Sequence, residues 1–115
     1  MLFARSVMFA ARKDAIDEAI GIYQNSVVPA AGEQKGFRGA VLLTDRASAR
    51  ATSITFWESK ADLLQSEKSG YYKKQIDKLR PMMLDEPMRS VYEVSVQTAL
   101  QMPTAAGTPG VAAKR

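Results

Sequence analysis

In residues 2–9 apolar side chains fall on both sides of an alternating pattern, with Phe3, Val7 and Phe9 on one side and Leu2, Ala4 and Met8 on the other. Successive side chains of a strand point to opposite faces, so this strand has no face suited to water. The same holds for residues 36–45, where Val41 and Leu43 oppose Ala40 and Leu42. A sheet built from such strands must be covered twice, and two helices cover only one side of it. A second copy related by a two-fold axis is the simplest cover for the other. The chain is therefore expected to form a homodimer through its sheet faces.

The helices follow from a change of period. From Lys13 onward Ile16, Ile20, Tyr23 and Val27 recur at three and four residues, which predicts an amphipathic helix. Asp14 is its expected cap, and Pro29, lacking an amide hydrogen, is expected to stop or kink it. Residues 36–45 and 50–57 read as strands joined by the short polar segment 46–49, an antiparallel hairpin. Ser59 with Asp62 three residues later has the spacing of a helix start. Leu63 and Leu64, and then Tyr72, Ile76 and Leu79, continue that helical region on either side of Gly70, the expected break. Pro81 and Pro87 bracket a loop, and Met82 and Met83 within it, with Met88 just after Pro87, are expected to form a soft lid over the sheet. Residues 90–98 alternate again, with Tyr92, Val94 and Val96 on one face.

The order βαββαβ predicts an α+β, ferredoxin-like sandwich, a four-stranded antiparallel sheet with strand four beside strand one and helices on one face. Residues 1–98 form this single domain. Residues 99–115 hold two Pro, two Gly and five Ala with few large apolar groups, and they read as a flexible tail.

Several function classes are excluded by what the chain lacks. It has no Cys and no His, so disulfides, thiolate metal sites, a cysteine nucleophile and a histidine-ligated haem are ruled out, as is the commonest general base at neutral pH. No metal and no cofactor is expected. The net charge is +4, but two of the excess cations are Lys114 and Arg115, and no basic stripe for nucleic acid is present. Arg5 interrupts the N-terminal apolar stretch, so no signal-peptide core forms. No segment approaches the roughly 20 apolar residues of a membrane span, and the expected location is the cytoplasm. Gly36 and Gly39 fit no phosphate-binding motif and read as a bend or bulge.

Arg5 in the first strand, Gly36-Phe37-Arg38-Gly39 opening the second and Trp57-Glu58-Ser59 closing the third occur in one order along the chain. In this it resembles the antibiotic biosynthesis monooxygenase (ABM) superfamily of dimeric α/β barrels, across essentially all of residues 2–97. The resemblance implies oxygenation of an electron-rich aromatic, typically a polyketide phenol, with no flavin, haem or metal. The substrate anion itself reduces dioxygen, while the protein supplies a dry pocket and groups that steer protons. Quinone-forming members carry Asn four residues before the strand-three Trp and Tyr about six after it; here those positions hold Ser53 and Leu63. Haem-degrading relatives need a His on the second helix and an Asn in strand one, where this chain has no His and Ala4.

Five residues are candidates for catalysis: Trp57, Tyr71, Tyr72, Arg5 and Ser53. Trp57 either walls a pocket and donates a hydrogen bond to a substrate oxygen, or anchors strand three to the second helix. Tyr71 and Tyr72 lie about 100° apart on a helix; Tyr72 joins the apolar stripe, which leaves Tyr71 nearer a rim. Arg5 either polarises a substrate carbonyl or phenolate, or pairs with Glu93 across strand four. Tyr23 reads as core. Three functions fit: a cofactor-independent monooxygenase acting on a small aromatic, a non-catalytic module that binds a small apolar ligand or dimerises, and an isomerase or lactone-processing enzyme. The first requires Ser53, Trp57, Arg5 and a Tyr hydroxyl to share one cavity, and the last requires Glu93 or Asp45 inside it.

Overall fold

The alternating segments pair as β1 (Phe3–Ala10), β2 (Phe37–Asp45), β3 (Arg50–Trp57) and β4 (Met88–Glu93) in a computed structural model that describes residues 1–101. The tail expected over 99–115 lies almost wholly outside those residues. The sheet runs in the order β2-β3-β1-β4 with every neighbouring pair antiparallel, the ferredoxin-like arrangement read from the sequence. Phe37 faces Trp57 while Gly39 faces Phe56, so Arg38 is the extra residue of a bulge between the two glycines. The fourth strand starts earlier and ends sooner than the alternation suggested. The Val94 amide still donates to the Leu2 carbonyl at 2.9 Å, after which the chain leaves the ladder.

Helices follow β1 and β3. A 3-10 turn, Lys13–Ala15, leads into α1 (Ile16–Ile22), then a π-turn, Tyr23–Val27, then α2 (Val28–Ala31). Two expectations fail here. Asp14 makes no cap to this helix, whose start has no side-chain hydrogen bond. Pro29 does not end it either, because the turn before it is already widened. The Val28 amide reaches back to the Tyr23 carbonyl, and Pro29 falls in the first turn of α2, where its missing amide matters little. After β3, the Ser59 hydroxyl caps α3 (Lys60–Lys68) by accepting the Asp62 amide at 3.1 Å, as its spacing indicated. Gly70, with φ of 92°, turns the chain into α4 (Tyr71–Leu79).

The register fixes two faces. Phe3, Arg5, Val7 and Phe9 lie beside Trp57, Thr55, Ser53 and Ala51, and next to them Ala40 and Leu42, on the face that the helices cover. Phe9, Ile16, Ala19, Tyr23, Val27, Leu79 and Met82 make the core there. Met82 is thus buried filling and Met88 lies exposed on β4, so the methionines form no lid. The opposite face carries Met8, Leu43, Met88 and Tyr92 exposed and Val41, Ile54 and Phe56 half-buried, with no helix across it among the described residues. No helix among the described residues is long and apolar enough to cross a membrane.

Candidate functional site

Strand parity aims Arg5, Val7 and Phe9 of β1 and Ser53 and Thr55 of β3 at the helices. The π-turn contributes Tyr23 and Val27, and α4 contributes Tyr71, Tyr72, Gln75, Ile76 and Leu79, so that these side chains enclose a chamber between sheet and helices. The space open to the centre of a water molecule is about 40 Å³, enough for on the order of three waters. Its walls are apolar except for hydroxyls, an amide and one cation.

That cation is Arg5, which is 3% exposed. Its Nη1 donates to Ser66 Oγ and to Glu67 Oε2, each at 3.0 Å. Its guanidinium lies 4.3 Å from the Tyr72 ring centre and 5.3 Å from that of Trp57, within the range of cation–π attraction. Glu93 is not the partner: it stands opposite Phe3, and Val91 stands opposite Arg5. Glu67 on α3 takes that place and also receives Arg89 from β4, Nε at 2.6 Å and Nη2 at 2.8 Å. Burial lowers the Arg5 pKa and the hydrogen bond that Arg5 donates to Glu67 opposes the shift; an arginine remains charged throughout.

The hydroxyls of Tyr23 and Ser53 are 2.8 Å apart, and Tyr23 also reaches the Val41 carbonyl at 3.5 Å. Burial raises the pKa of Tyr23 and of Tyr72 and pushes Tyr71 up to about 12, with the Arg5 charge pulling each the other way. All three phenols therefore stay protonated near neutral pH and act as donors, not bases. No carboxylate lines the chamber; Asp45 sits at the hairpin, accepting the Ala47 amide. Lactone processing or isomerisation thus lacks the base that it requires. Among the described residues no group of three potential metal ligands occurs.

Of the five candidates, Arg5, Ser53, Tyr71 and Tyr72 meet in this chamber and Trp57 does not. Trp57 is fully buried, edge-on to Phe37, and its indole donates to Thr55 Oγ1 at 2.9 Å. Its one donor is spent inside the protein, so it supports Arg5 from behind. Tyr71 stands at the rim and still touches the chamber. Together with Gln75 it separates the chamber from an outer groove lined also by Ala30, Glu33, Gln34 and Lys74, so both tyrosines touch the chamber from adjacent helical positions. Tyr23, Thr55, Gln75 and Glu67 were missed in the sequence. The alternation of Ser53 and Thr55 with Trp57 was a usable signal, because it aims hydroxyls at the stripe on which Tyr23 lies.

A family model described as antibiotic biosynthesis monooxygenase matches residues 2–78. No curated protein sequence matches the chain. Similar solved structures include Rv0793 from Mycobacterium tuberculosis, at 13% identity over 86% of this chain and 100% of that one, with a TM-score of 0.67. SnoaB from Streptomyces nogalater, described as a cofactor-independent oxygenase, is 11% identical over 84% and 95% of the two chains, with a TM-score of 0.65. A monooxygenase from the gene ActVA-Orf6 of Streptomyces coelicolor, in complex with nanaomycin D, is 15% identical over 89% and 92%, with a TM-score of 0.61.

Proposed function

The chain belongs to the antibiotic biosynthesis monooxygenase family, and we propose that it oxygenates a small electron-rich aromatic in this chamber without a cofactor. The observation that carries the reading is convergence: Arg5, three phenols and Ser53 meet in one apolar space that holds hydrogen-bond donors and no carboxylate. Such a site stabilises a substrate anion and protonates what forms from it. The anion passes one electron to dioxygen, and the resulting pair joins in a carbon–oxygen bond as a peroxide, which takes a proton from a chamber hydroxyl. The O–O bond then breaks as the remaining C–H proton returns to the chamber oxygen that gave one up, and the hydroxide released takes up the proton first lost from the substrate as water. One CH2 and one O2 become one C=O and one H2O, with all four electrons drawn from the substrate.

Oxygen uptake with a panel of anthrones and hydroquinones tests this. Wild type is expected to consume one O2 per carbonyl formed, and Arg5→Met to lose about 10²-fold in rate, the effect of removing one anion-stabilising donor. Uptake indistinguishable from buffer across the panel contradicts it. The tightness of the chamber, about 40 Å³, favours a second reading, a module that binds a small ligand and does no chemistry; it predicts binding without uptake.

The open sheet face supports a homodimer as well. Met8, Leu43, Met88 and Tyr92 are exposed there beside half-buried Val41, Ile54 and Phe56, a contiguous apolar patch of the kind that a second copy covers.

A further inference from the structure

Arg5 carries more donors than the protein uses. Both of its hydrogen bonds leave from Nη1, to Ser66 and Glu67, and among the described residues neither Nε nor Nη2 has an acceptor. Ser66 is itself spoken for, its hydroxyl donating to the Leu63 carbonyl at 2.6 Å. Arg5 is 3% exposed and its charge is met by Glu67, but three of its N–H groups are unused, and a buried donor without an acceptor is costly. The unused edge, Nε with Nη2, presents two parallel N–H bonds, the fork that grips two coplanar oxygens.

Charge makes the same point. Glu67 is shared, with Arg89 gripping both of its oxygens and Arg5 one, so two arginines divide one carboxylate and the cluster keeps a net charge of +1. The other titratable groups around Arg5 are Tyr23, Tyr71 and Tyr72, none of them negative near neutral pH.

We propose that the chamber recognises an aromatic monocarboxylate, whose two coplanar oxygens lie against the Nε and Nη2 edge of Arg5 while the ring rests among Val7, Val27 and Ile76. This rests on the chamber being the ligand site, the reading made above, and it narrows the substrate to an acid that arrives already charged. The space present is too small for a ring, so binding requires Tyr71 and Gln75 to swing outward into the groove that they border.

Calorimetric titration of the full chain with benzoate and with its neutral isostere benzamide, at pH 7, tests the proposal. Wild type is expected to bind benzoate at least about tenfold more tightly than benzamide. Arg5→Met is expected to lose that preference, and Arg5→Lys, which keeps the charge without the fork, to retain only part. Arg5→Met leaves Glu67 paired with Arg89, and circular dichroism checks its fold; should it not fold, full preference in Arg5→Lys still overturns the fork. Equal affinities in wild type, no binding of either compound up to about 10 mM, or a preference that survives Arg5→Met overturns the proposal. Oxygen plays no part in the readout. Anion preference can therefore stand in a protein that oxidises nothing, and uptake with a neutral anthrone can persist where the preference fails.

Discussion

The hydroxyl of Tyr23 in the π-turn after α1 meets the hydroxyl of Ser53 in the middle of the sheet at 2.8 Å, and both residues line the chamber. Either substitution, Tyr23→Phe or Ser53→Ala, removes this hydrogen bond and is expected to lower stability by about 1 kcal/mol. In the double variant the losses should not add, with a coupling of about 1 kcal/mol. Urea unfolding of the four proteins measures it, and simple additivity would show that the two hydroxyls do not interact.

Glu67 holds two arginines, whereas Arg5 holds only Glu67 and Ser66. Glu67→Gln leaves buried Arg5 without a counter-charge and is expected to cost about 3 kcal/mol. Arg5→Met removes the buried cation, leaves Glu67 with Arg89 and is expected to cost less. Denaturant midpoints give the order directly; a larger loss for Arg5→Met reverses the account of which partner needs the other.

Burial lifts Tyr71 to about 12 from an ordinary value of 10.0. An acid whose folded pKa is raised keeps its proton longer in the folded state, so from pH 10 upward the unfolded state binds fewer protons and stability falls as pH rises through the window to about 12. Below pH 10 the contribution is fully present. Tyr71→Phe should flatten that decline in thermal unfolding followed across the alkaline range, and an unchanged slope would place the titration elsewhere.

Much of this was legible because it is written in short-range pattern. Alternation revealed four strands and both apolar faces, Gly70 announced its turn, and Ser59 its cap. Pro29 misled because its effect depends on the hydrogen-bond ladder before it, and the π-turn that accommodates it has no apolar-period signature. Trp57 stayed open between pocket wall and anchor, because parity identifies two faces without saying which one meets the helices or that Thr55 takes the indole donor. Glu67 was invisible for a different reason. It sits among polar residues on an exposed-looking helix, and its importance comes from Arg5, 62 positions away in the chain. Tyr23 was read as core because burial and function coincide there: it is 5% exposed, and its hydroxyl is still the polar wall of the chamber.

The uncovered sheet face predicts self-association. Sedimentation equilibrium at micromolar concentration is expected to give about twice the 12.6 kDa of one chain. Leu43→Glu, at an exposed site on that face, buries a carboxylate in the contact and should weaken the dimer at least about 10²-fold. Well-behaved single chains of the unaltered protein would leave that face without its inferred cover.

Whether the chamber oxidises a small aromatic at the substrate's own expense is tested most directly by isotope labelling. The protein, free of added flavin, metal or reductant, is turned over on an anthrone-type acid under 18O-labelled dioxygen, and the product is weighed by mass spectrometry at early times. The expected result is one labelled oxygen per new carbonyl in wild type, at a rate that falls about 10²-fold in Arg5→Met. Unlabelled product, or labelled product formed equally fast by wild type, Arg5→Met and buffer alone, would contradict it.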